Sequence, residues 1–148
     1  MRCVAAEPPE ARTWRAGDLR LVADGRTLRI EGAPSRWRLA AFTGPVDQPS
    51  IRALRGRRPH LAVLLGGTGE DAAEVARTLG LLAELRAPAL VVAGGEDRHG
   101  LLARAFAGLE APARDRVIHA SGLRSIRVGA VELRAGRGRP GRAVRARR

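Results

Sequence analysis

Three side chains that could bind a metal ion follow one apolar segment of the sequence. The stretch VVAGGEDRHG (91–100) places Glu96, Asp97 and His99 directly after a run of apolar residues and two glycines. Carboxylate and imidazole groups are common ligands of divalent cations. Neighbouring residues of an extended loop point in different directions, however, so they would hold at most one weakly bound, largely hydrated ion. The pattern therefore favours a solvated charged loop over a metal site.

The elements that would position this loop alternate between strands and helices. LAVLL (61–65) and PALVVA (88–93) are continuous apolar runs, which are typical of strands covered on both faces. A glycine-containing loop and then a helical spacing of apolar residues follow each run, at 70–85 and 101–110. This βαβα order predicts an α/β domain with a parallel sheet and right-handed crossovers.

Shorter segments on either side complete the predicted fold. Residues 18–33 alternate apolar and polar positions around an Asp-Gly turn and predict an N-terminal β-hairpin. Residues 36–42 predict a strand, 49–57 a short helix, and 117–133 a return to strands.

The loops that follow the parallel strands would gather at one edge of the sheet, where ligands bind in open α/β folds. These loops are 42–47, 66–71 and 94–100, and all contain glycine. Glycine either lets a backbone approach a ligand or simply ends a strand. GGTG lacks the lysine of a phosphate-binding P-loop. Thr68 and Asp71, three residues apart, instead predict a capping-box-like start for the next helix.

The order of these loops resembles the N-terminal half of the calcineurin-like metallophosphoesterases. In that family, successive strands end in Asp-x-His, Gly-Asp and Gly-Asn-His-Asp/Glu, and these residues bind two metal ions. The order of LAVLLGGTGED, a helix and APALVVAGGED is similar to the family pattern in spacing and in strand composition, and the resemblance covers residues 36–133. The resemblance implies half of an α/β/β/α sandwich, hydrolysis of phosphate mono- or diesters as substrates, and a divalent metal cofactor (Mn, Fe or Zn).

The chain departs from the family pattern at most ligand positions. The corresponding residues here are Gly44 and Val46, then Gly66 and Gly67, then Gly94, Gly95, Glu96 and Asp97. Two cations about 3.5–4 Å apart need several anionic and imidazole ligands. The resemblance therefore implies Asp97 as the one retained metal ligand, with Glu96 as a substitute, and no identifiable catalytic residue. It predicts an impaired phosphoesterase, with or without a bound metal.

The charge of the chain predicts a second class of function, a non-enzymatic binding module. The formal net charge is +12, all 27 basic residues are Arg, and the segment 134–148 holds seven of them and no acid. Strand-end loops would contact a partner, and the basic tail could add attraction to nucleic acid. There is no Tyr, and two Trp and two Phe are scattered along the sequence, which predicts no stacking platform for single strands. A third interpretation, a flavodoxin-type nucleotide-binding domain, conflicts with the acidic start of the 70–85 helix.

The sequence divides into a loose N-terminal segment (1–16), a domain (17–133) and a disordered basic tail (134–148). No apolar run is long enough to span a bilayer, and no secretion signal is present, so we expect a cytoplasmic protein. A start site further upstream would instead permit export or lipidation near Cys3. Because the sheet pattern stops abruptly, the two hypotheses are a truncated sandwich with exposed apolar sheet surface and a self-sufficient small domain.

Overall fold

The computed structural model describes residues 12–134, which form two β-sheets and a layer of helices. In chain order the elements are β1 (Arg12–Ala16), β2 (Leu19–Asp24), β3 (Thr27–Glu31), β4 (Leu39–Phe42), α1 (Gln48–Arg57), β5 (Leu61–Leu65), α2 (Ala72–Ala83), β6 (Ala89–Val92), α3 (His99–Ala107), α4 (Ala113–Arg116), β7 (Val117–His119), β8 (Ser125–Val128) and β9 (Val131–Arg134).

The parallel sheet has the strand order β4-β5-β6-β7, and all of its neighbouring pairs are parallel. Its strands are short apolar runs because both faces are covered. In β5, Ala62 and Leu64 pack on one face, and Leu61 and Val63 pack on the other. The α/β class and the parallel core predicted from the βαβα order are confirmed.

The mixed sheet has the order β1-β2-β3-β8-β9 and contains the predicted hairpin. Strands β2 and β3 pair antiparallel from Arg20 opposite Glu31 to Asp24 opposite Thr27. Gly25 turns the chain between them with a φ of 58°, a conformation that costs glycine little. Strand β8 pairs parallel to β3. The hairpin therefore belongs to a second sheet, which β8 and β9 complete.

Two separate hydrophobic clusters define three layers. One cluster joins the parallel sheet to the helices, through side chains such as Ile51 of α1, Leu79 of α2 and Leu102 of α3. The other cluster lies between the two sheets and contains Leu21 and Leu28 of the mixed sheet. The layer order is therefore helices, parallel sheet and mixed sheet, and it leaves the carboxyl edge of the parallel sheet to the strand-end loops.

Charged side chains cover the outer face of the mixed sheet. Arg20 pairs with Glu31 at 3.4 Å, and Glu132 pairs with Arg127 at 3.4 Å and with Arg134 at 3.1 Å. All three arginines are well exposed, so each pair contributes little to stability.

Three expectations about local structure need correction. Residues 12–16, assigned to a loose segment, form strand β1, which pairs with β2 and places Trp14 against the core between the sheets. Strand β9 continues through Arg134, the first residue of the predicted tail, and the rest of that tail lies outside the described residues. Thr68 does not cap α2, because Asp71 is the N-cap and accepts a hydrogen bond from the Glu74 amide at 2.8 Å.

An exposed glycine in α2 gives a stabilising substitution. A side chain at Gly80 would meet no atom within 4 Å, and glycine costs about 1 kcal/mol relative to alanine inside a helix. We expect Gly80→Ala to raise the free energy of unfolding by about 0.5–1 kcal/mol in urea titrations. The reciprocal change Ala76→Gly, at another exposed position of α2, should lower it by a similar amount. A loss of stability in Gly80→Ala would contradict the assigned helix.

Candidate functional site

The three predicted loops do lie together at the carboxyl edge of the parallel sheet. They follow β4, β5 and β6, which are neighbours in the sheet. Backbone hydrogen bonds extend the sheet pairing into them: the Gly44 amide donates to the Gly66 carbonyl at 3.0 Å, and the Gly66 amide donates to the Val92 carbonyl at 2.9 Å. The loop ends are therefore held by the sheet.

Glycine is required at this edge because the loop backbones touch each other. A Cβ atom on Gly44 would overlap the carbonyl oxygen of Gly67, and a Cβ on Gly67 would lie 2.7 Å from the Gly44 Cα. A Cβ on Gly66 would lie 3.0 Å from the Gly94 Cα. Gly66 and Gly67 also have positive φ values of 79° and 71°. These glycines let three loops pack directly against one another.

The Asp97 side chain lies at the centre of this packing. Its Oδ1 accepts hydrogen bonds from the Thr68 amide at 2.9 Å and the Thr68 hydroxyl at 2.7 Å. Its Oδ2 accepts one from the Gly94 amide at 2.6 Å. An ionised carboxylate offers about four acceptor positions, so these donors take most of them. The side chain, which is 9% exposed, therefore joins the loop after β6 to the loop after β5.

The hydrogen bonds set the charge state of Asp97. Burial raises the pKa of this carboxyl, but donors from Gly94, Thr68 and Gly67 outweigh burial and hold the pKa below its usual value. The carboxylate is therefore ionised near neutral pH, and its charge is stabilised by donors of the protein.

The predicted metal ligands differ in their surroundings. Glu96 is exposed on the loop after β6, whereas its neighbour Asp97 is buried. His99 is the first residue of α3 and is also exposed. Within residues 12–134, no group of three or more His, Cys, Asp and Glu side chains is arranged to hold a metal ion. Binding of a metal by Glu96 and Asp97 stays a prediction.

Acidic side chains occupy the N-terminal ends of the first two helices. Asp47 caps α1 by accepting from the Ser50 amide at 2.8 Å, and the Ser50 hydroxyl and amide lower the pKa of Asp47. Asp71 caps α2 in the same way. Both carboxylates lie where a phosphate would bind in a nucleotide-binding α/β fold. Their negative charge argues against the flavodoxin-type interpretation.

His119 reaches the same end of the sheet and was not a candidate in the sequence. It ends β7, and its ring stacks on Phe106 with centroids 4.8 Å apart. Its Nε2 lies 3.1 Å from the Ser121 hydroxyl, which accepts from the Ala93 amide at 2.9 Å. The Ser121 O–H can then donate to Nε2. The His-x-Ser spacing at a strand end is the signal that could have indicated this pair.

The surroundings of His119 favour a neutral ring. The ring of His119 is partly covered although the residue as a whole is exposed, and this partial burial, and then the charge of nearby His99, lower the pKa of His119. A neutral imidazole keeps a ring nitrogen that accepts a hydrogen bond and a flat face that can stack. His60, in contrast, is at the opposite edge of the sheet, where its Nδ1 accepts from the Arg38 amide at 2.9 Å.

Within the described range, no helix is long and apolar enough to cross a membrane. The search of protein-family models, of curated proteins and of solved structures found no match for this chain.

Proposed function

We propose that the chain is a metallophosphoesterase-like protein whose phosphoesterase centre is impaired. Support comes from the resemblance in the order of the strand-end loops and from the placement of all three at the carboxyl edge of the parallel sheet. Phosphate esters are the substrate class that this resemblance implies, and Asp97 and Glu96 are the residues it implies as metal ligands.

The hydrogen bonds of Asp97 are the main support for an impaired centre. Asp97, the one ligand that matches the family pattern in type, accepts hydrogen bonds from Thr68 and Gly94 with both of its oxygens. A carboxylate held in this way joins two loops. To bind a metal ion, it would have to give up donors that already stabilise its charge.

A pair of divalent ions does not fit the side chains of this edge. Two ions about 3.5–4 Å apart repel each other and need several anionic and imidazole ligands around them. The loops after β4 and β5 contribute glycines at the matching positions, Gly44 and Gly67, and these glycines are needed for backbone packing. No hydrolytic step is therefore assigned to these residues.

A second candidate function is that of a non-enzymatic binding module that uses the same edge. The observation that favours it is the close packing of the loops, glycine against glycine, with Asp97 joining two of them. Such loops lose little conformational entropy when a partner binds. The exposed side chains Glu70, Glu96 and Arg98 would make the contacts.

Calorimetric titration with Mn²⁺ tests the impairment, in a buffer free of phosphate and chelator. We expect no binding, or one weak site in the millimolar range that Glu96→Gln weakens further. Glu110→Gln, which removes an exposed carboxylate after α3, is the matched control. Hydrolysis of a chromogenic phosphodiester should not exceed that of Mn²⁺ alone.

The opposite outcome is equally specific. A working metallophosphoesterase would bind two ions with micromolar affinity and would hydrolyse the diester. In that case Asp97→Asn should abolish hydrolysis while the protein stays folded. Circular dichroism of the variant separates loss of ligands from loss of fold. The absence of both binding and hydrolysis would leave the binding-module function as the one to pursue.

A further inference from the structure

A second surface with distinct chemistry lies beside the strand-end loops, next to the end of β7. A cleft of about 1330 Å³ runs between the edge strands β1 and β7 and is bordered by α3 and α4. We call it the edge cleft and define it by its rings, Trp14, Phe106 and His119, and its arginines, Arg12, Arg26 and Arg114. It lies at the open sides of both sheets, because β1 and β7 are terminal in their strand orders.

The fold brings together aromatic side chains that are far apart in the sequence. Trp14 from β1 and Phe106 from α3 line the same cleft, although they are far apart in the sequence. Phe106 stacks on His119, which is exposed at the end of β7. An exposed ring backed by a second ring is a surface on which another planar group can stack.

The charge of the edge cleft favours an anion. Its three arginines face one acidic lining residue, Asp115. The ion pairs found among residues 12–134 lie on the outer face of the mixed sheet and use none of these arginines. Their guanidinium groups can therefore contact phosphates bidentately.

The size of the cleft separates two kinds of phosphate-bearing ligand. Sites for small molecules measure about 300–1,000 Å³ and enclose their ligand, whereas the edge cleft is larger, at about 1330 Å³, and partly open to solvent. Rings and arginines that line one groove are the arrangement that binds single strands, because every base has a face that can stack and every linkage carries a charge.

We propose that the edge cleft binds single-stranded nucleic acid, with bases stacked on Trp14 and His119 and phosphates contacting Arg12, Arg26 and Arg114. The proposal is independent of the phosphoesterase resemblance, since the lining of the edge cleft includes no residue of the loops 42–47, 66–71 and 94–100. The basic segment 134–148 adds sequence-independent attraction, so the test must separate the cleft from that segment.

Two substitutions on the full chain make this separation, with binding of a fluorescein-labelled ten-nucleotide oligothymidylate measured by anisotropy. Arg26→Gln with Arg114→Gln removes two cleft charges, and we expect at least a tenfold loss of affinity at low salt. The slope of log affinity against log salt should fall by about 1.4, or about 0.7 for each phosphate contact. Phe106→Leu removes the ring that backs His119 and should weaken binding about tenfold at all salt concentrations.

The matched control is a second arginine-lined cleft that has no Trp or Phe. Arg55 and Arg86 line it at the opposite, amino edge of the parallel sheet. Arg55→Gln with Arg86→Gln removes the same charge from the chain, and we expect less than a threefold change. Equal losses in the two double variants would overturn the proposal, because binding would then follow net charge alone.

Tryptophan fluorescence reports on the cleft directly. The chain has two Trp and no Tyr, so Trp37→Phe leaves Trp14 as the only tryptophan. Stacking of a base should quench its emission as the oligonucleotide saturates, while thymidine monophosphate at the same nucleotide concentration should not. Quenching by the mononucleotide to the same extent would indicate a small-ligand site and overturn the single-strand assignment. Binding of the oligonucleotide without quenching would overturn the assignment of the binding site to the edge cleft.

Discussion

Replacing Gly44 with alanine is expected to lower the free energy of unfolding by about 3 kcal/mol or more. The new Cβ would overlap the Gly67 carbonyl oxygen, which is a backbone atom of the neighbouring loop. The two loops would have to separate, and the hydrogen bond from the Gly44 amide to the Gly66 carbonyl, 3.0 Å long, would be strained. Urea unfolding followed by circular dichroism measures the change.

Gly95→Ala is the matched control for this prediction. Gly95 belongs to the same loop edge, but a Cβ there would meet no atom within 4 Å, and its φ is not positive. We expect its stability to stay within about 0.5 kcal/mol of the unaltered chain. Equal stability of the Gly44 and Gly95 variants would mean that the loops after β4 and β5 are further apart than the structure places them.

The second large effect is expected for Asp97→Asn, which should cost about 2–3 kcal/mol at pH 7. The amide keeps one acceptor oxygen and replaces the other with an NH₂ group. That group would face either the Gly94 amide or the Thr68 donors, all of which now donate to Asp97. A buried donor without an acceptor then remains. Urea unfolding at pH 7 gives the magnitude.

The same variant should change the acid limb of the stability curve. The folded-state pKa of Asp97 is held below its ordinary value, so its contribution is present above about pH 4 and is lost as the pH falls through the folded-state pKa. The stability difference between the chain and Asp97→Asn should therefore shrink in acid. Glu96→Gln, at the exposed neighbour, should stay within about 0.5 kcal/mol throughout. A difference that is independent of pH would refute the ionised, hydrogen-bonded carboxylate.

Most elements of the fold could be predicted from local periodicity. The apolar run 61–65 is a strand with the predicted bounds, and the hairpin around Gly25 forms as its Asp-Gly turn indicates. The pairing of β3 with β8 could not be predicted, because periodicity says nothing of which distant strands become neighbours. Strand β1 was missed since RTWRA has one large apolar residue, Trp14, and depends on its partner β2 for hydrogen bonds.

The candidate site was predictable in position but not in chemistry. That Asp97 lies at the carboxyl edge follows from its place after a buried strand. Asp97 also accepts hydrogen bonds from Thr68, 29 residues earlier. This contact could not be predicted, because it depends on how the two loops pack. The capping spacing of Thr68 and Asp71 was misleading for the same reason, because Thr68 bonds to Asp97 instead. His119 and Phe106 meet only through the packing of α3 near β7.

The parallel pairing of β3 with β8 has a consequence for the order of folding. Thr27 and Ser125, 98 positions apart, meet with their hydroxyl oxygens 3.0 Å apart, and the whole parallel sheet with its helices lies between them in sequence. Closing so long a segment costs more chain entropy than closing a hairpin or a βαβ unit. We therefore expect the parallel layer and the β2–β3 hairpin, which are held by contacts closer in sequence, to form earlier. We expect the contact between β3 and β8 to form after these parts, and it completes the second layer.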